Sequence, residues 1–175
     1  NCSYNELTSL PDLPNSLQYL YCFINQLTSL QDLPNSLQKL RCNYNELTSL
    51  PDTLPNSLQE LYCNDNKLAS LPDLPNSLEI LHCDDNQLIS LPDTLPNSLE
   101  ILHCYNNKLI SLPDTLPNSL EILDCSYNEL TSIPDYLQNS LQKLDCHNNK
   151  LTSLPYHLPN SLQDLDCNYN KLTSL

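Results

Sequence analysis

The chain of 175 residues carries 7 Lys+Arg against 21 Asp+Glu, a net charge of −14. Such a field repels a phosphate backbone, so no nucleic-acid partner is expected; no apolar run approaches the roughly 18 residues that span a bilayer, so no membrane segment is expected either. No basic-then-apolar leader precedes Asn1, and the missing initiator Met and mid-repeat start read as a fragment or a processed chain.

Taken in order, the sequence is one unit copied from end to end. Nine cysteines mark it, at Cys2, Cys22, Cys42, Cys63, Cys83, Cys104, Cys125, Cys146 and Cys167, at intervals of 20 or 21 residues. A period of this length signals a solenoid, whose units cannot bury their apolar faces alone. Residues 1–16 enter in mid-repeat, complete units open at Leu17, Leu37, Leu58, Leu78, Leu99, Leu120 and Leu141, and a truncated one begins at Leu162. Residues 1–175 are therefore expected to form a single array of about nine repeats with neither end capped. Residues 1–10 also match 166–175 closely, which raises end-to-end self-association as an alternative to a capped parent chain.

Within a unit, Leu99-x-x-Leu102-x-Cys104 alternates apolar and variable residues, the period of a strand with one buried face. Three residues after each Cys stands an Asn (Asn5, Asn25, Asn45, Asn66, Asn86, Asn107, Asn128, Asn149, Asn170), placed to satisfy backbone groups where the chain turns out of the strand. Paired prolines such as Pro113 and Pro117 then forbid a regular helix and favour an extended or polyproline-like return. Thr53, Thr94, Thr115, Tyr136 and His157 supply the extra residue of the 21-residue units, on this return side. The chain has no Gly, so any left-handed turn position is expected to fall to Asn or Asp. An odd number of cysteines at one equivalent site argues against a disulfide framework and for a column of buried, reduced thiols, which favours a reducing compartment.

The stretch Leu71-Pro-Asp-Leu-Pro-Asn-Ser-Leu-Glu-Ile-Leu-His-Cys-Asp-Asp-Asn-Gln-Leu-Ile-Ser-Leu-Pro92 resembles the short bacterial, YopM/IpaH-type subclass of leucine-rich repeats, and the pattern covers the whole chain. That resemblance implies a curved right-handed solenoid with a concave parallel β-sheet that binds other proteins. Two departures accompany it. The Cys before each Asn is more similar to repeats carried by amoeba-associated giant viruses and bacteria, and the sequence contains neither the capping helices nor the ubiquitin-ligase domain of the effector class. Effector activity is thus not carried over.

On the outward face of such a sheet, Ile80, Ile101 and Ile122, flanked by Tyr62, His82, His103 and Tyr105, form an apolar and aromatic stripe suited to a protein partner. The same β-branched stack would also stabilise the sheet with no partner at all. Tyr19, Tyr21, Phe23, Ile24 and Tyr44 form a second patch, for which drift in a near-terminal repeat is the competing account. Asp124, Asp145 and Asp166 form a ladder of like charge that favours a basic partner, unless Lys143 and solvent absorb the repulsion. His82 and His103 with Asp84 and Asp85 have zinc-ligand chemistry, but two His on a solvated face are ordinarily just hydrated, and no metal or other cofactor is expected. Serines such as Ser111 and Ser119 have no His at matching spacing to activate them, so no enzyme is expected. The expectation is a non-enzymatic protein-interaction scaffold working through the concave face; the alternative is a structural protein stacking into filaments or a surface layer.

Overall fold

A computed structural model describes residues 1–174. Each of the seven complete units and the truncated one after them contributes one three-residue strand: β1 (Tyr19–Tyr21), β2 (Lys39–Arg41), β3 (Glu60–Tyr62), β4 (Ile80–His82), β5 (Ile101–His103), β6 (Ile122–Asp124), β7 (Lys143–Asp145) and β8 (Asp164–Asp166). The strands pair in sequence order into one parallel sheet of eight, with equivalent residues opposite each other, as Ile80 with Ile101 and His82 with His103. The partial first unit forms no strand, but the Cys2 amide donates to the Tyr21 carbonyl at 2.8 Å and so lies on the same stack.

The alternation read in the sequence sets the two faces. The middle residue of each strand is a Leu that points inward, and Leu40, Leu61, Leu81, Leu102, Leu123 and Leu144 are fully buried. The Cys two positions later joins them, followed by the Leu of the outgoing limb (Leu47, Leu68, Leu88, Leu109). The core is a continuous column of Leu and Cys, with Ile133 in place of one Leu. The return limb ends, just before the next strand, with a turn in which the Pro96 carbonyl accepts the Leu99 amide proton at 3.0 Å. Among the described residues there is no helix, in keeping with the paired prolines.

Two ladders of polar side chains bracket each strand. At its exit, each Asn amide from Asn25 onward bridges repeats: Asn107 Nδ2 donates to the carbonyls of Cys104, Tyr105 and, one repeat back, Cys83 at 3.1–3.2 Å, while its Oδ1 accepts from the Leu88 amide at 2.9 Å. At its entrance, the Ser hydroxyls do the same work, Ser98 Oγ lying 2.8 and 2.7 Å from the Asn76 and Leu78 carbonyls. The Asn ladder was expected; the Ser ladder was not.

The left-handed turn position corrects one expectation. It is the residue just before each ladder Asn, and its occupants Tyr4, Ile24, Tyr44, Asp65, Asp85, Asn106, Tyr127, Asn148 and Tyr169 have φ between 49° and 57°. Asp and Asn hold only four of these nine places. Here the conformation is imposed by the stack: the amide of Ile24 donates to the Asn43 carbonyl of the next repeat at 3.0 Å, and that of Tyr44 to Asn64 at 3.1 Å. The side chain projects outward, so even a bulky residue is accepted at an energetic cost of roughly 1–2 kcal/mol.

Candidate interaction face

The outward face of the strands carries a continuous row of aromatic and cationic side chains from β1 to just beyond β5. Arg41 lies over the rings of both Tyr21 and Tyr62, at 5.7 and 4.5 Å from their centres. Tyr62 then stacks on His82 at 4.7 Å, His82 on His103 at 4.2 Å, and His103 approaches Tyr105 at 6.4 Å. In-register parallel pairing creates this row, because one column of the sequence becomes one line of neighbours on the sheet. Ile80, Ile101 and Ile122 run beside it, each half-buried and each opposite the next.

The two patches expected separately are joined by Arg41. Phe23, Arg41, Asn43 and Tyr62 wall one shallow pocket, and Phe23 packs edge-on against Tyr4 at 5.1 Å. Tyr19, Ile24 and Tyr44 are exposed around it. Lys39 pairs with Glu60 and sits 5.5 Å above the Tyr62 ring, so this end of the face is held by charge as well as by stacking. Arg41 stands in the same column as Tyr62 and His82, yet a column alone does not reveal that its guanidinium bridges two rings.

The Asp column is more occupied than expected. Asp124 Oδ1 accepts the amide and the hydroxyl of Ser126 at 3.1 and 2.7 Å, and Asp145 and Asp166 likewise accept the amides of His147 and Asn168 at 3.3 and 3.0 Å. His147 Nδ1 lies 2.5 Å from Asp145 and 4.0 Å from Asp166. Lys143 meets Asp164 at 3.5 Å. Each carboxylate therefore closes its own turn, and His147, not Lys143, sits between two of the like charges.

Asp84 stands apart from these acids. It is 2% exposed, and its Oδ1 has no hydrogen-bond partner among the described residues. Its carboxylate oxygen and one nitrogen each of His82 and His103 lie within 4.8 Å of one another. Burial pushes the Asp84 carboxyl up to about 6 and pushes His82 down to about 4, with His103 adding to the second effect. His103 is lowered too, again chiefly by burial. Both imidazoles are consequently neutral at physiological pH.

The cysteine column has no comparable chemistry. All nine thiols are free; Cys22 through Cys146 are buried, whereas Cys2 and Cys167 are only partly covered, so full burial holds for the interior seven. The thiols of Cys22, Cys42, Cys63 and Cys83 each point at a carbonyl of the next repeat, as Cys63 Sγ does at His82, 3.4 Å away.

The "Leucine Rich repeats (2 copies)" family model matches residues 36–76, and the "Leucine Rich Repeat" model matches 119–139 and 140–160. Among solved structures, YopM from Yersinia enterocolitica is 38% identical with a TM-score of 0.81, over 97% of this chain and 42% of that one. The functional domain of InlJ from Listeria monocytogenes, which includes a cysteine ladder, is 33% identical with a TM-score of 0.83, over 92% of this chain and 36% of that one. A Shigella effector LRR domain is 34% identical with a TM-score of 0.76, over 87% of this chain and 69% of that one. The chain thus spans half or less of the length of the first two. No curated protein matches it significantly by sequence.

Proposed function

This chain is a leucine-rich repeat protein of the YopM-like kind, and we propose that it is a non-enzymatic scaffold that binds a protein partner on the outward face of its strands. The observation that carries this reading is the unbroken row Tyr21, Arg41, Tyr62, His82, His103, Tyr105, half-buried and stacked across five adjacent strands. Tyr and Arg on a rigid sheet lose little conformational freedom on binding, and such residues dominate interface energetics. The Ile80, Ile101 and Ile122 line adds apolar area beside them. A net charge of −14 steers a basic partner toward the molecule over several ångströms, and screening by salt slows that approach. The neighbours named above lend no support to end-to-end stacking into filaments, and the Asp column, engaged in its own turns, contributes to the field more than to direct contacts.

The test is site-specific photo-crosslinking in an extract of the source cells, with the crosslinker at position 101 on the strands or at position 114 on the return limb. Discrete adducts from position 101, lost on Tyr62→Ser, would bear the reading out. Adducts of equal yield from both positions, or adducts from position 101 that survive Tyr62→Ser unchanged, would overturn it.

A further inference from the structure

We propose that His82, His103 and Asp84 form a binding site for a single dication of the Zn²⁺ class on the face of the sheet between β4 and β5. This goes beyond partner binding and stands whether or not that face takes a protein. It also departs from the sequence-based expectation of two merely hydrated histidines.

Two observations converge. The first is geometric: His82 and His103 are opposite each other in register on neighbouring parallel strands, which brings their rings to 4.2 Å. Asp84, two residues beyond His82 and just past the end of β4, brings a carboxylate oxygen within 4.8 Å of a nitrogen from each ring. Tetrahedral zinc bound at about 2.0–2.2 Å by N and O ligands needs those atoms roughly 3.4 Å apart, so binding requires the three side chains to draw in by up to roughly 1.4 Å, with water on the open face completing the set. The second is the orphaned oxygen. A carboxylate oxygen buried with no hydrogen-bond donor is costly, and a bound dication is one of the few groups that relieves it.

The neighbouring clusters sharpen the choice by contrast. Asp145, His147 and Asp166 also lie close together, but His147 Nδ1 is already engaged by Asp145 at 2.5 Å and the Asp oxygens by their own turns. In the group of Asp65, Asp84 and Asp85, the Asp65 and Asp85 carboxylates accept the side-chain amides of Asn64 and Asn106. Among the described residues, only the pair of histidines with Asp84 combines imidazole nitrogen donors with an unsatisfied, buried oxygen. The seven interior thiols, which also have zinc-ligand chemistry, are buried in the core.

Tag-free protein, stripped with chelator and kept reduced with a phosphine, is titrated with Co²⁺ and followed by absorption, then back-titrated with Zn²⁺. The expected result is one Co²⁺ per chain, with visible bands of a four- or five-coordinate ion, no sulfur-to-metal charge transfer, and displacement by Zn²⁺. Each of His82→Gln, His103→Gln and Asp84→Asn should weaken uptake by more than about tenfold, the lower end of what losing even an outer-shell partner costs, with circular dichroism showing the variants folded. Asp84→Asn has a second readout: it should raise the melting temperature of the metal-free protein and abolish the further rise that Zn²⁺ gives the parent. No saturable uptake by the parent protein, a thiolate charge-transfer band, or parental affinity in any one of the three variants would overturn the proposal.

Discussion

Asn128 reaches one repeat back to donate to the Cys104 carbonyl at 3.0 Å. The same amide donates to Cys125 and Ser126 within its own repeat, and its Oδ1 accepts the amide proton of Leu109 at 2.9 Å. One buried side chain thus satisfies backbone groups in two coils at once. Asn128→Ala leaves the buried Leu109 amide without this acceptor, and an orphaned buried group costs about 1–3 kcal/mol. Asp114, exposed on the return limb, sets the comparison, since its replacement by Ala is expected to cost under about 0.5 kcal/mol. Urea unfolding of the two variants checks this; coincident midpoints would remove the Asn ladder from the account of stability.

The Ser ladder makes a parallel prediction from the other end of the strand. Ser119 Oγ lies 2.7 Å from the carbonyls of both Asn97 and Leu99, whereas Ser111 is exposed on the outgoing limb. Ser119→Ala is expected to lower stability by about 0.5–1.5 kcal/mol and Ser111→Ala to leave it unchanged. Equal effects would show that the hydroxyl bridge contributes nothing net.

How far the sequence could be read follows from which facts repeat. The Leu, Cys and Asn columns recur in every unit, so period alone places them in core, core and turn, and the parallel pairing follows. What depends on a partner in the next coil is invisible in one copy. The Ser of Pro-Asn-Ser-Leu looks like a generic turn residue until the preceding coil's carbonyls are laid beside it. The environments of Arg41 and Asp84 are hidden for a related reason: only side-chain packing shows that Arg41 bridges Tyr21 and Tyr62, and that Asp84, though its ligand chemistry is legible beside His82 and His103, is sealed from solvent.

Ile24 carries the prediction that follows from the left-handed position. At φ 53° it is a β-branched residue in a region that disfavours it, and it is 37% exposed, so packing returns little. Replacing it by Asn, the residue found at 106 and 148, relieves strain of roughly 1–2 kcal/mol against a smaller loss of apolar contact. Ile24→Asn is expected to stabilise the protein by about 1 kcal/mol, and the reverse change Asn106→Ile to destabilise it similarly. A lowered denaturation midpoint for Ile24→Asn would mean that the Ile side chain packs for more than its exposure indicates.

The thiol column makes stability depend on alkaline pH, with a sign set by burial. Burial pushes Cys22 and Cys146 up to about 12 from an ordinary 9.0 and raises Cys42, Cys63, Cys83, Cys104 and Cys125 as well, as their first cause. The folded chain therefore keeps protons that the unfolded chain releases above 9.0. A raised folded value contributes stability that is complete below the unfolded value and is lost as pH climbs toward the folded one. The urea midpoint should accordingly stay level between about pH 7 and 8.5 and fall steadily above about 9, where ionised thiols accumulate in the unfolded state. Cys104→Ala, with one thiol fewer, should fall less steeply even though the small cavity lowers its starting stability. Accessibility supplies an independent check, because the partly covered Cys2 and Cys167 should react with a thiol reagent ahead of the seven interior cysteines, which should react only on unfolding. A midpoint indifferent to pH up to about 10, with all nine thiols reacting together in the native protein, would show that the column is open to solvent and that its protons are not held by the fold.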